Sequence, residues 1–180
     1  MRTSYSNIDL NYGDLITSIS SAINPSKIVE IGILDGYSLE QFINSSNNNT
    51  NICAYDLFED FNGNHSSRQL LEEKFKIYNN VTIEYGDFYK VYELIDNIDI
   101  IHIDIANNGD VFEYAIKHYI PKLSKSGVMI LEGGSITRDN VEWMKKYNKP
   151  MIHPILEKYK DYLEIKTFGT FPSLTLIRKK

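Results

Sequence analysis

The chain has 180 residues, 42% hydrophobic and 24% charged, the proportions of a polypeptide that folds around one sizeable core. A formal charge of -5 argues against a protein built to grip phosphate backbones, so nucleic acid is not an expected partner. The lone Cys53 can form no internal disulfide, and neither a signal peptide nor a spanning apolar segment is readable, which predicts a cytoplasmic protein without membrane attachment.

In chain order, a helical stretch is predicted over 10–23, followed by the β-branched run KIVEI (27–31). Gly32 and Gly36 come next, then a short helix over 38–44 and an Asn-rich loop, NSSNNNTN (44–51). The strand NICAYD (51–56) leads to a helix over 67–78, and VTIEY (81–85) to one over 88–95. DIIHIDI (99–105) precedes a helix over 111–123, and GVMILE (127–132) precedes one over 137–147. Finally YLEIKTF (162–168) and SLTLIRK (173–179) are separated only by GTFP, a gap that fits a hairpin and is too short for a crossover helix.

Near-continuous apolar strands alternating with amphipathic helices predict an α/β fold of the Rossmann-like, doubly wound kind. The expected sheet is seven-stranded and mostly parallel, with a C-terminal antiparallel hairpin and helices on both faces. A single domain is expected: an N-terminal helical region (1–26), a cofactor-binding core (27–134), and an acceptor-side helix with the terminal hairpin (135–180).

Ligands of open α/β sheets sit beyond the carboxyl ends of the strands, so the residues there are the candidates. Gly32 and Gly36 permit a tight turn and a close approach of ligand to backbone N–H groups at a helix start. The spacing E-x-G-x-x-x-G lacks the middle glycine of a dinucleotide fingerprint, which disfavours a nicotinamide cofactor. Asp56, ending the second strand, stands where an acid takes the ribose hydroxyls of an adenosine-type ligand.

With these residues in view, VEIGILDGYSL resembles the first motif of the class I S-adenosylmethionine-dependent methyltransferases, nearest to the small-molecule O-methyltransferases. The likeness continues in order through AYDLF, EYGDF, IIHIDI and LSKSGVMILEGG. It implies S-adenosyl-L-methionine as cofactor, with Glu30, Gly32 and Gly36 around its methionine half. Ser38 is expected to cap the following helix and to touch the carboxylate. By the same resemblance Asp56 accepts the ribose hydroxyls, Leu57 and Phe58 flank the adenine, Asp87 lies near its amine with Phe88 beside it, and Asp104 faces the methyl group and the acceptor.

Metal-dependent members of that family carry an Asp after strand four and an Asp-Asn or Asp-Asp pair after strand five. Here Asp104 is present and the pair reads Glu132-Gly133. Asp104 and Glu132 therefore read either as ligands of a divalent metal or as acids that orient the acceptor. The family's usual Lys or His beyond strand four is replaced by Ile105-Ala106-Asn107-Asn108. His153, or His65, is the expected base for a hydroxyl acceptor, whereas His102 reads as a satisfied core imidazole and His118 as a helix-end residue. Arg138, with Asp139, starts a helix over the acceptor site and reads either as an anchor for an anionic acceptor group or as part of a helix-surface ion pair.

The expected activity is methyl transfer to a small-molecule acceptor at a hydroxyl oxygen. The acceptor is bound by the 7–12 region, by 148–161 or by a second subunit of a homodimer. Alternatives are binding of the cofactor without turnover, methylation of a macromolecule, and a nicotinamide-dependent oxidoreductase.

Overall fold

The computed structural model describes residues 12–62, 64 and 66–180; His65 and most of the 7–12 region lie outside the described residues. Seven strands form one sheet in the order β3-β2-β1-β4-β5-β7-β6. They are β1 (Lys27–Ile31), β2 (Asn51–Asp56), β3 (Val81–Tyr85), β4 (Ile98–Ile103), β5 (Leu123–Glu132), β6 (Leu163–Phe168) and β7 (Leu174–Lys179). β1 to β5 run parallel, while β7 pairs antiparallel with both β5 and β6, so the expected sheet and its reversed hairpin are both present.

Two apolar layers result from the period-two alternation of the strands. Ile28, Ile52, Ala54, Ile100, Val128 and Ile130 face one side, under helices α1 (Tyr12–Ile23), α2 (Tyr37–Ser45) and α3 (Arg68–Phe75). Val29, Ile31, Ile101, Ile103, Met129 and Leu131 face the other, under α4 (Phe88–Val91) and α5 (Gly109–His118). On β1, β4 and the second half of β5 the residues of both faces are almost entirely removed from water, at about 25 cal/mol for each Å² of apolar surface, which is why these strands read as near-continuous hydrophobic runs, whereas β2 alternates between buried and partly exposed positions.

The helices expected over 67–78 and 88–95 are shorter, Arg68–Phe75 and Phe88–Val91, and three other differences from expectation have identifiable causes or partners. α5 begins at Gly109 because the Asn108 side chain caps it, accepting from the N–H of Asp110 at 2.9 Å. β5 begins at Leu123, joined to β4 through a register irregularity between Ile98 and Ile100. The predicted helix over 137–147 is two helices, α6 (Ile136–Asp139) and α7 (Glu142–Lys146), followed by an unpredicted α8 (His153–Tyr159). Asp139 explains the break: its carboxylate turns away from the helix to accept the N–H groups of Ile152 (2.8 Å) and His153 (2.7 Å), capping α8 from outside. Among the described residues, no helix is long and apolar enough to cross a membrane.

Candidate active site

The strand register sets the site. Ile31 lies beside Tyr55 on β2 and Ile103 on β4, and Ile103 beside Leu131 on β5. One residue further on, Asp56, Gly32, Asp104 and Glu132 make the next row at the carboxyl edge, continued by the bonds Gly32 N–H to Tyr55 O (2.9 Å) and Asp104 N–H to Ile31 O (3.0 Å). By strand alternation Asp56 and Glu132 share the face of Glu30 and His102, which lie two rows below. A glycine thus separates Asp56 from two neighbouring carboxylates.

Gly32 has φ +90°, and a Cβ there would lie 2.2 Å from the carbonyl oxygen of Asp104. Gly36 has φ +77°, and a Cβ there would meet the Phe75 ring at 2.7 Å. Both glycines are therefore required by protein packing as well as by the turn, a reason that their spacing alone does not reveal. Gly36 itself occupies the N-cap of α2 without a side-chain cap. This corrects the expectation for Ser38: it lies inside the helix and its hydroxyl donates to Glu30 Oε1.

Glu30 is fully buried. Its Oε1 is shared by Ser38 and by His102 Nδ1 at 3.0 Å, the partner directly across from it on β4, while Oε2 is buried with no hydrogen-bond partner among the described residues. His102, with the Phe42 ring edge-on at 5.7 Å, is the core imidazole expected from its strand position. Asp56 is also buried: Oδ2 accepts from Ile33 N–H (2.7 Å), and Oδ1 from Phe58 N–H (2.8 Å) and Asn64 Nδ2 (2.7 Å). It ties together the turn after β1 and the loop after β2, a structural duty that the ribose expectation did not include.

The aromatic and apolar residues expected near an adenine are distributed unevenly. Leu57 is half-buried on the loop after β2, whereas Phe58 belongs to the core under α1 to α3. Asp87 caps α4 by accepting from Tyr89 N–H at 2.9 Å. Phe88 is core, stacked on Tyr119 with centroids 5.4 Å apart. His118 stacks on Tyr114 at 4.1 Å, so packing as well as helix position accounts for it.

At the β4–β5 edge the structure shows a group that the sequence reading placed differently. Arg138 is 5% exposed and Asp139 4%, so neither makes the helix-surface ion pair considered for them. Gly133 (φ +109°) and Gly134 (φ +108°) turn the chain back so that Arg138 grips Glu132 side-on, Nε to Oε1 at 2.6 Å and Nη2 to Oε2 at 2.9 Å. Nη2 also reaches Asn107 O at 3.4 Å, and Asn107 Nδ2 donates to Ile103 O (3.0 Å) and Glu132 O (2.9 Å). Burial pushes the Glu132 carboxyl above its ordinary value; Arg138 opposes that shift and nearby Asp104 adds to it. His153, half-buried at the start of α8, is held to this region through its backbone bond to Asp139.

This donor set does not fit a divalent metal. Both Glu132 oxygens are taken by a guanidinium, whose positive charge stands beside the would-be ligand. Asp104, just past the end of β4, is near Glu132, but the charge of Glu132 is already matched by Arg138.

A parallel five-strand core extended by a reversed hairpin, with acids aligned on its carboxyl edge, defines the class I S-adenosylmethionine-dependent methyltransferase fold. Residues 29–132 match the family model described as methyltransferase domain, and the chain belongs to that family. No curated protein matches the sequence. Among solved structures it is similar to the SAH-bound methyltransferase of Podospora anserina, with 16% identity, TM-score 0.70, and coverage of 94% of this chain and 78% of that one. It is similar to an O-methyltransferase of Bacillus cereus in complex with SAH, with 16% identity, TM-score 0.70, and coverage of 97% and 83%. An O-methyltransferase of Streptomyces achromogenes involved in tomaymycin synthesis, in complex with SAM, is 14% identical with TM-score 0.71 and coverage of 97% and 82%.

Proposed function

We propose that the protein binds S-adenosyl-L-methionine at the carboxyl ends of β1, β2 and β4 and transfers its methyl group to an oxygen of a small-molecule acceptor. The observation that carries this reading is the row Asp56, Gly32, Asp104, Glu132, with the unpartnered Oε2 of Glu30 beneath it. A buried carboxylate oxygen without a donor suits a ligand that brings positive charge. The cofactor, when bound, supplies an electrophilic methyl on a sulfonium.

The chain's own part is orientation and exclusion of water. Glu30, held by Ser38 and His102, presents its free oxygen to the cationic half of the cofactor. Asp56 retains lone-pair capacity on Oδ2 beyond its bond to Ile33 and is the residue proposed for the ribose. Leu57 and Asp87 border the adenine side, and Asp104 faces the acceptor. For a hydroxyl acceptor the base falls to His153, because Glu132 is engaged by Arg138. O-methyltransferases among the similar structures support oxygen as the target atom.

Calorimetric titration with S-adenosylmethionine and S-adenosylhomocysteine, followed by assay of S-adenosylhomocysteine formation with small acceptors, tests the proposal. Binding and turnover are expected. Failure of both to bind overturns it, and binding without turnover on any small acceptor leaves only a cofactor-binding protein.

A further inference from the structure

Among the described residues, two further buried polar atoms have no hydrogen-bond partner, and both belong to the cluster around Glu132: Arg138 Nη1 and Asn107 Oδ1. Their orientation is fixed. Arg138 spends its Nε and Nη2 edge on Glu132, so Nη1 and its two N–H groups point away from that carboxylate. Asn107 donates both amide hydrogens to backbone carbonyls, which assigns Oδ1 as the atom left over. A native fold rarely leaves such atoms unsatisfied, and their occurrence as a donor and an acceptor in one cluster at a strand-end site points to a ligand.

Resting on the methyl-transfer reading, we infer that the acceptor is a small carboxylic acid bearing a hydroxyl or amino donor, and that it is methylated on its carboxylate. The carboxylate accepts from Arg138 Nη1, and the ligand's O–H or N–H donates to Asn107 Oδ1. Such an acceptor explains two features together. It is ionised at neutral pH and needs no base, and the segment Ile105-Ala106-Asn107-Asn108 supplies none. It also needs no metal to hold its oxygen, because a guanidinium occupies that place.

The step balances without a proton. A lone pair of the carboxylate oxygen forms the O–CH3 bond while the S–CH3 bond breaks, and that electron pair stays on sulfur. Anion and sulfonium become a neutral methyl ester and a neutral thioether. Arg138 is then a substrate-positioning residue that binds the carboxylate oxygen not being methylated.

The test uses the purified protein with methyl-tritiated S-adenosylmethionine and two acceptor mixtures of matched size. One holds hydroxy and amino carboxylic acids; the other holds phenols and simple alcohols. The expected product is label released as volatile methanol by mild alkali, from the acid mixture only. Arg138→Gln is expected to lower kcat/KM for ester formation roughly 10- to 100-fold, the loss of one charge-assisted hydrogen bond, with S-adenosylmethionine affinity unchanged. Because that variant strands Glu132, the double variant Arg138→Gln, Glu132→Gln is assayed beside it and is expected to lose ester formation equally.

Alkali-stable label from the phenols or alcohols overturns this inference and leaves methyl transfer standing. Label in neither mixture, with S-adenosylmethionine bound, overturns it as well. Failure to bind S-adenosylmethionine defeats the reading on which it rests. Undiminished ester formation in both variants removes Arg138 from the acceptor site.

Discussion

At the scale of single residues, Asp56 and Glu132 show that an acid placed by its strand can have two duties. Asp56 was legible as an acid at the end of the second strand, but its bonds to Ile33, Phe58 and Asn64 were not, because they depend on how two loops close over the sheet. Asp56→Ala is expected to weaken S-adenosylhomocysteine binding by about 1.5 to 3 kcal/mol and, by leaving buried N–H groups without an acceptor, to reduce unfolding stability by about 2 kcal/mol. Calorimetry and urea denaturation read the two effects separately; a loss of affinity with unchanged stability would contradict the loop-tying role. Glu132 gives a prediction with a definite sign. Its carboxyl is raised in the folded state by burial, so between the unfolded and folded values the native protein holds more protons, and stability falls as pH rises. Arg138→Met removes the group that opposes this shift, widening the window. The variant is expected to be destabilised by about 3 to 5 kcal/mol at pH 8 and by distinctly less near pH 5. A deficit that does not depend on pH would show that lost packing on Trp143, whose ring lies 5.1 Å from the guanidinium carbon, is the dominant effect.

At the scale of elements, the strands were readable and the segment after β5 was not. A buried parallel strand advertises itself by a continuous apolar run, and each of the runs that were read is a strand of the sheet. The helices beyond β5 are governed by contacts that no local pattern contains. α8 begins with a cap supplied by Asp139, fourteen residues before His153 and on another helix. Arg138 is buried because two positive-φ glycines fold it onto Glu132, six residues earlier. Composition around 136–147, rich in charge, suggests a solvated helix instead. Asp139→Ala is therefore expected to cost about 1 to 2 kcal/mol, the value of a lost cap. Its signature is local: amide hydrogens of 152–159 should exchange faster in the variant, while those of β1 and β4 fall only with global stability. Equal acceleration throughout the chain would argue against a capping role.

At the scale of the whole molecule, the sheet order brings together residues far apart in sequence. Asp56, Asp104 and Glu132 come from β2, from just past β4 and from β5, and only the order β2-β1-β4-β5 puts them in one row with Gly32. A ligand lying across that row links four strands and two loops, and it binds only where they are folded. S-adenosylhomocysteine at about a hundred times its dissociation constant should thus add about 2.7 kcal/mol to the unfolding free energy. For a chain of this size that raises Tm by roughly 5 to 11 °C. Hydrogen-exchange protection should concentrate at the carboxyl ends of β1, β2 and β4 and in the loop after β2, leaving the β6–β7 hairpin unchanged. Because the guanidinium of Arg138 stands against Glu132, adding magnesium or manganese to the cofactor-bound protein should produce no further rise in Tm. Chelation should likewise leave methyl transfer at its starting rate. A metal-dependent increment in Tm that vanishes in Asp104→Asn would show that the row holds a cation despite Arg138, and would return Asp104 and Glu132 to the role of ligands.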